Sequence, residues 1–514
     1  MLKNIINYLF RNKFNLAIFL LYVIVCFTAM FYHEMWRDEA RVWNFLNSYD
    51  IKSLVYNIRF DGHPFLWYII LFPFVKIGFP PFIMQVISVL FCTAAVLFFL
   101  IKSPFNYLIK FLFVFSAGTI YFLPVIARNY SLVPICVFAL AYLYPERHKK
   151  PYQYLTALVL LSQTHCLMWG LFGICSVVFI FECIIKYFKE SPSKFRDKSA
   201  VCERNLRVET SSGELYDGSD EEAVEGDTRL NKNKIFFIAP IFLIIYFCLM
   251  FFIYVDVFYK NGWNPELATS FISLDINDID GVRGMLEILY KHDTTPIMIK
   301  ILFGLFVTMF IPLFKISKKS LIFLVFSTFY TFYVLYKVWY GGIFYQKVFL
   351  IVLIIIFCIW ISGSKRDLWG KLSEYILTVF LLFLMFNPFF INVVKDDIQN
   401  TYTNTKEIAE FIDNKENEII LLVTNENEGI ILDNFFIFLK NEINHIVIPT
   451  SDNKPYILKK EDIEENNELP KYLIKTTAIV IPEELPYKKI LSAPKNRVKI
   501  YDTKEYYSIY EKTE

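Results

Sequence analysis

Four short stretches of this chain carry residue types that can do chemistry. Residues 35–43 read Met-Trp-Arg-Asp-Glu-Ala-Arg-Val-Trp, so Asp38 and Glu39 are adjacent carboxylates, preceded by Arg37 and flanked by two tryptophans. A carboxylate there is a base for a hydroxyl delivered at a membrane surface. The plainer reading is a solvated charge in an interfacial aromatic belt. Gly62-His63-Pro64 puts an imidazole at a turn, where a lone histidine is usually just solvated. Arg128, in Ala127-Arg128-Asn129-Tyr130, lies between two apolar runs. A cation at that depth pairs with something or snorkels to the interface, and a guanidinium matches a phosphate with two parallel hydrogen bonds. His165, after Thr164, falls near the end of another apolar run, where polar packing and a catalytic or metal-linked role are equally open. Asp38, Glu39, His63 and His165 are all types that ligate a divalent metal, so metal assistance stays open.

The elements that must position these residues are membrane-like. Of 514 residues, 54 are Phe, 33 Tyr and 8 Trp; hydrophobic residues make up 55% and charged residues 20%. That balance excludes a disordered or disulfide-scaffold chain and disfavours a soluble multidomain enzyme. The net charge of +2 conceals three materials. Residues 395–514 carry −7 and residues 188–234 carry −2, so the apolar remainder carries +11. No basic run is dense enough for nucleic acid. The nine cysteines form no Cys-x-x-Cys pair and sit mostly in apolar stretches, as small hydrophobes.

An apolar run follows Lys3, Arg11 and Lys13 without a small-residue cleavage site, which reads as a retained signal anchor. About eleven runs approach the length of a spanning helix. The stretch 65–79, with Pro73 and Lys76, reads instead as an in-plane or re-entrant helix. With it not crossing, Lys102/Lys110, Arg147/Lys149/Lys150, Lys315/Lys318/Lys319 and Lys365/Arg366 all fall in short cytoplasmic loops, as the positive-inside rule requires. The outer face then receives the loop 33–64, the turn 127–130, the loop 256–296, the turn 339–342 and the tail. The expected architecture is an all-α polytopic bundle of the cell (inner) membrane, with the N-terminus cytoplasmic. Its units are an N-terminal membrane module (1–187), a flexible cytoplasmic insert (188–234), a second membrane module (235–394) and a small extracytoplasmic α/β domain (395–514). In the tail, β-type runs at Ile419–Val423, Ile446–Ile448, Ala478–Ile481 and Val498–Tyr501 alternate with helical segments at 404–414 and 427–440, without a glycine-rich phosphate loop.

Taken in order and spacing, Trp36-Arg37-Asp38-Glu39-Ala40, Gly62-His63-Pro64, Ala127-Arg128-Asn129-Tyr130 and Thr164-His165 resemble the GT-C superfamily of membrane glycosyltransferases. The resemblance is to the dolichyl-phosphate-mannose protein mannosyltransferase-like group (family 39), in an uncharacterised bacterial branch. It covers roughly residues 15–190 well and 235–391 loosely. It implies transfer of a sugar from a polyprenyl-phosphate-linked donor to a lipid or glycan acceptor on the outer side of the membrane. It also implies that Asp38 is the base and that Arg128 faces the lipid phosphate, with His63 and His165 lining the site. One departure stands out. The related branch has an Arg-His pair after a late Gly-Gly turn, whereas Gly341-Gly342 is here followed by Ile-Phe-Tyr-Gln and then Lys347, displaced along its helix as the replacement cation. A transporter or flippase of lipid-linked saccharide and a non-catalytic envelope assembly partner remain the alternatives.

Overall fold

The computed structural model describes residues 12–58, 63–208, 237–253, 304–337, 346–363, 367–400, 404–415, 420–425, 444–448, 456–463, 469–476, 479–492 and 507–513. The side chains of Arg37, Lys347 and residues 189–208 lie outside that description, as do Gly62, the loop 256–296, the turn 339–342 and the segments 427–440 and 498–501.

The described residues up to 208 form helices and no strand. The α-helices are α1 (Lys13–Met30), α2 (Arg37–Ser48), α3 (Ile51–Asn57), α4 (Leu66–Ile77), α5 (Ile83–Lys102), α6 (Tyr107–Val114), α7 (Val133–Leu143), α8 (Pro151–Ser162) and α9 (Trp169–Val208). After them come α10 (Phe237–Ile253), α11 (Phe310–Ile316), α12 (Lys318–Lys337), α13 (Gln346–Ile361), α14 (Leu368–Phe386) and α15 (Pro388–Gln399). Four helices are long and apolar enough to cross a membrane: Lys13–Met30, Ile83–Lys102, Cys166–Phe188 and Leu368–Phe386. The other apolar runs are not single spanning helices of that kind among the described residues.

The run 108–127 shows why. It forms the eight-residue α6, then a π-helical turn at Gly118–Phe122, and loses regular structure before Arg128. The run 131–145 begins with a 3-10 turn at Asn129–Leu132 before the eleven-residue α7. The run 153–168 stops at Ser162 and resumes as a 3-10 turn at Cys166–Met168. At ~1.5 Å per residue these pieces fall well short of a ~30 Å hydrocarbon core. Two of these interruptions lie at residues singled out in the sequence, Arg128–Tyr130 and Thr164–His165. The stretch 65–79 becomes the twelve-residue α4, ended by Gly78 at φ 89°. In the other direction, α9 continues to Val208, so the segment from 188 onward starts as helix, in keeping with its Lys, Arg and Glu content.

The core is aromatic and aliphatic. Helix α13 is apolar on every side and buried on every side from Val348 to Trp360. It packs on α7 and α12. Phe99 of α5 meets Phe113 at 4.7 Å, Phe138 at 4.9 Å and Phe105 at 5.7 Å between ring centres. Arg147 and Lys319 both bind Glu182, at 2.7 and 2.6 Å.

Among the described residues, the C-terminal unit has α16 (Thr405–Asp413), α17 (Lys460–Ile463) and seven strands: β1 (Ile420–Asn425), β2 (Asn444–Ile448), β3 (Tyr456–Ile457), β4 (Tyr472–Thr476), β5 (Ile479–Val480), β6 (Tyr487–Leu491) and β7 (Tyr507–Lys512). The main sheet runs β2-β1-β4-β7-β6, parallel across β2-β1-β4 and antiparallel across β4-β7-β6. Ile420 and Leu422 face a core with Ile408 and Ile412 of α16, while Val423 and Leu473 face a second core with Leu458 and Ile463. Strands buried on both faces suit a small α/β unit.

Candidate functional site

Helix α2 begins without a Ser, Thr, Asp or Asn cap. Glu39 supplies the closure instead: its Oε2 accepts the backbone N–H of Trp36 at 2.8 Å. That places Asp38 and Glu39 in the first turn, where the helix dipole favours negative charge. Their side chains then part company. The Oδ2 of Asp38 lies 2.9 Å from NH1 of Arg128, with the carboxylate side chain 36% exposed and the guanidinium 19%. The side chain of Glu39 is fully buried.

Arg128 is aimed by the break around it. Its carbonyl accepts Ser131 N–H at 3.0 Å and Ser131 Oγ–H at 2.9 Å, closing the 3-10 turn that follows. The Asn129 amide donates to the carbonyl of Thr164 at 3.0 Å, tying this turn to the break after α8. The Arg128 guanidinium lies over the ring of Tyr130 at 5.4 Å, and that ring packs on His165 at 4.2 Å. His63 completes the row, 5.4 Å from His165 between ring centres. Its turn is held by Gln163, whose side-chain and backbone oxygens accept Phe65 N–H and Leu66 N–H at 3.4 and 3.3 Å. The chain thus brings Asp38, Arg128, Tyr130, His165 and His63 into one continuous row. Arg37 lies in the first turn of α2 and Lys347 in α13, but their side chains are outside the described residues.

Glu39 belongs elsewhere. Its Oε1 accepts Ala127 N–H at 2.6 Å, and its Oε2 also lies 2.9 Å from Nε2 of His33. Nδ1 of His33 lies 2.7 Å from Oδ2 of Asp397 in α15. Asp397 also accepts the indole N–H of Trp36 at 3.0 Å and the Tyr121 hydroxyl at 2.5 Å. Burial pulls the His33 pKa down, but the carboxylates of Asp397 and Glu39 outweigh it and raise it to about 10. Burial pushes Asp397 up, yet His33 and the Tyr121 and Trp36 hydrogen bonds together hold it below the usual carboxylate range. Sequence reading missed His33, Tyr121 and Asp397. The only signal was a histidine six positions before Glu39; nothing linked it to an aspartate 364 residues away.

One donor set has metal-like proximity: His63, His165 and Cys166 each offer an atom within 4.8 Å of the others. The set does not fit as it stands. Nδ1 of His165 accepts Leu167 N–H at 3.1 Å, which occupies its lone pair and puts the ring proton on Nε2. A ligating imidazole needs a lone pair directed at the ion. Comparisons with protein-family models, curated proteins and solved structures gave no match to this chain.

Proposed function

We propose that this protein is an integral membrane glycosyltransferase that moves a sugar from a polyprenyl-phosphate-linked donor to an acceptor hydroxyl at the outer face of the cell membrane. The observation that carries this reading is the Asp38–Arg128 pair, a partly exposed carboxylate beside a fixed guanidinium at the end of three interrupted apolar runs. The four spanning-type helices supply the setting such a donor needs, since its lipid tail stays in the bilayer. Resemblance to the GT-C superfamily supplies the reaction class.

The chemistry follows from the pair. The acceptor oxygen attacks the anomeric carbon while Asp38 takes its proton. The bond from that carbon to the phosphate oxygen breaks, and its electron pair leaves with the lipid phosphate. Arg128 offsets the charge on that phosphate. A guanidinium has five N–H donors, so it can hold the phosphate and still contact Asp38. Packing on Tyr130 keeps its plane fixed. One base and one displacement invert the anomeric centre, as in one-step glycoside chemistry. Glu39, with both oxygens committed to N–H donors, positions this pair and takes no proton from substrate.

The test is transfer by the purified, reconstituted protein, with donor and acceptor taken from envelope glycans whose mass spectra change when the protein is absent. Asp38→Asn lowers kcat by about 100- to 10,000-fold, the range general-base loss produces, with membrane insertion unchanged. Arg128→Lys keeps the charge but loses the fork, and raises the donor KM more than it lowers kcat. Full activity in Asp38→Ala would sink the assignment.

A further inference from the structure

We propose that His33, held as an imidazolium between Glu39 and Asp397, is a positioning residue that sets the Asp38–Arg128 pair and makes helix α15 a member of the site. What is positioned rests on the transferase reading above; the charged bridge itself does not.

The protonation state follows from the hydrogen-bond donors around the two acids. Glu39 Oε2 receives Trp36 N–H and Oε1 receives Ala127 N–H. Asp397 Oδ1 receives the Trp36 indole N–H, and Oδ2 lies within reach of the Tyr121 hydroxyl. Hydrogen bonds of this kind hold Asp397 in its charged form, and both oxygens of Glu39 face N–H donors. A neutral imidazole between them would point its lone pair at an oxyanion. With a proton on each nitrogen, both contacts become charge-assisted hydrogen bonds, at 2.9 Å to Glu39 and 2.7 Å to Asp397. Three uncharged groups also contact this residue. They are the rings of Trp36 at 5.6 Å and Tyr121 at 6.3 Å, both edge-on, and Gln85 of α5, whose amide reaches the His33 carbonyl at 3.4 Å.

The positioning follows from where Glu39 sits. It is one residue after Asp38, and it binds the backbone one residue before Arg128. A single carboxylate thus gauges the distance between the base and the cation. His33 ties that carboxylate to Asp397, near the end of α15 on the approach to the C-terminal unit. Trp36, the residue before α2, is held by both acids, through its backbone to Glu39 and through its indole to Asp397.

NMR of the ring nitrogens, in protein grown with isotope-labelled histidine, tests the bridge without any transfer assay. The chain has six histidines, so the spectrum is simple. One ring stays doubly protonated at about pH 8, well above the ordinary histidine value of about 6.5. His33→Gln removes that signal, and Asp397→Asn moves its titration to lower pH. Should that variant fail to fold, the wild-type titration alone decides. A spectrum in which every ring is neutral at that pH, or in which Asp397→Asn leaves the titration unmoved, overturns the bridge. In the transfer assay Asp397→Asn lowers kcat about 100-fold, the cost of misplacing reacting groups by about 1 Å, with little change in donor KM. Its activity also declines at lower pH than that of the wild type. Wild-type rates and pH profile in Asp397→Asn overturn the positioning role. Full activity in Asp38→Asn would instead remove the transferase reading and leave the ring-nitrogen result standing.

Discussion

Asp38 and Glu39 are consecutive on a helix, so their side chains diverge by about 100° around its axis. That angle leaves one carboxylate partly exposed, against Arg128, and sends the other into the interior, against His33. Burial then decides their duties: a carboxylate with every oxygen committed inside is a strut, and one with open surface can meet a hydroxyl. The buried bridge makes stability depend on pH in a definite direction. The His33 value is raised from about 6.5 unfolded to about 10 folded, so its stabilisation is fully present below about pH 6.5 and is lost as pH rises through about 10. Thermal unfolding in detergent measured from pH 6 to 10 should show the midpoint falling across that window. His33→Gln should flatten the fall; an equally steep slope in that variant would assign the dependence to other groups.

At the level of elements, broken helices build the site. Three apolar runs that look like spans are interrupted, and the break at Arg128–Tyr130 is tied to the one at Thr164 by Asn129. The π-helical turn at Gly118–Phe122 is one such break, and its packing is tight: a Cβ on Gly118 would lie 1.9 Å from Cδ1 of the buried Phe349 of α13. Gly118→Ala therefore forces a core ring aside. Overpacking of this kind costs about 1–3 kcal/mol. The melting midpoint should drop, and Phe349→Leu in the same chain should recover part of the loss. An unchanged midpoint in the single variant would show that the ring swings clear. The sequence pattern gave little warning of these interruptions, because a short apolar helix followed by a turn has the same hydropathy as a longer helix. The three breaks became visible only once Glu39, Asn129 and Gln163 were seen holding them together.

On the scale of the whole molecule, the helical body and the C-terminal unit each fasten their own end of the chain between them. Asp397 fastens α15 to the loop before α2, and Asn404 then brackets Tyr507, its amide donating to the Tyr507 carbonyl and accepting the Tyr507 N–H, both at 2.9 Å. Strand β7 lies between β4 and β6, and its Tyr507 and Ile509 are buried under α16. Ending the chain at Tyr506 should therefore unfold the C-terminal unit and expose it to protease, while the helical body keeps its resistance. A tail that stays resistant after this truncation would mean the sheet closes without its inner strand.

The sequence by itself determined the material: an apolar, aromatic body, a polar segment and an acidic α/β tail. It also marked Asp38, His63, Arg128, Tyr130 and His165 as exceptions worth explaining. Such features are local, because a charge costs free energy in an apolar run wherever the rest of the chain goes. Only the tertiary structure decided which exceptions meet, and which carboxylate turns inward. Those outcomes depend on contacts between residues as far apart as His33 and Asp397, and burial sets whether each charge is stabilised by a partner or by water.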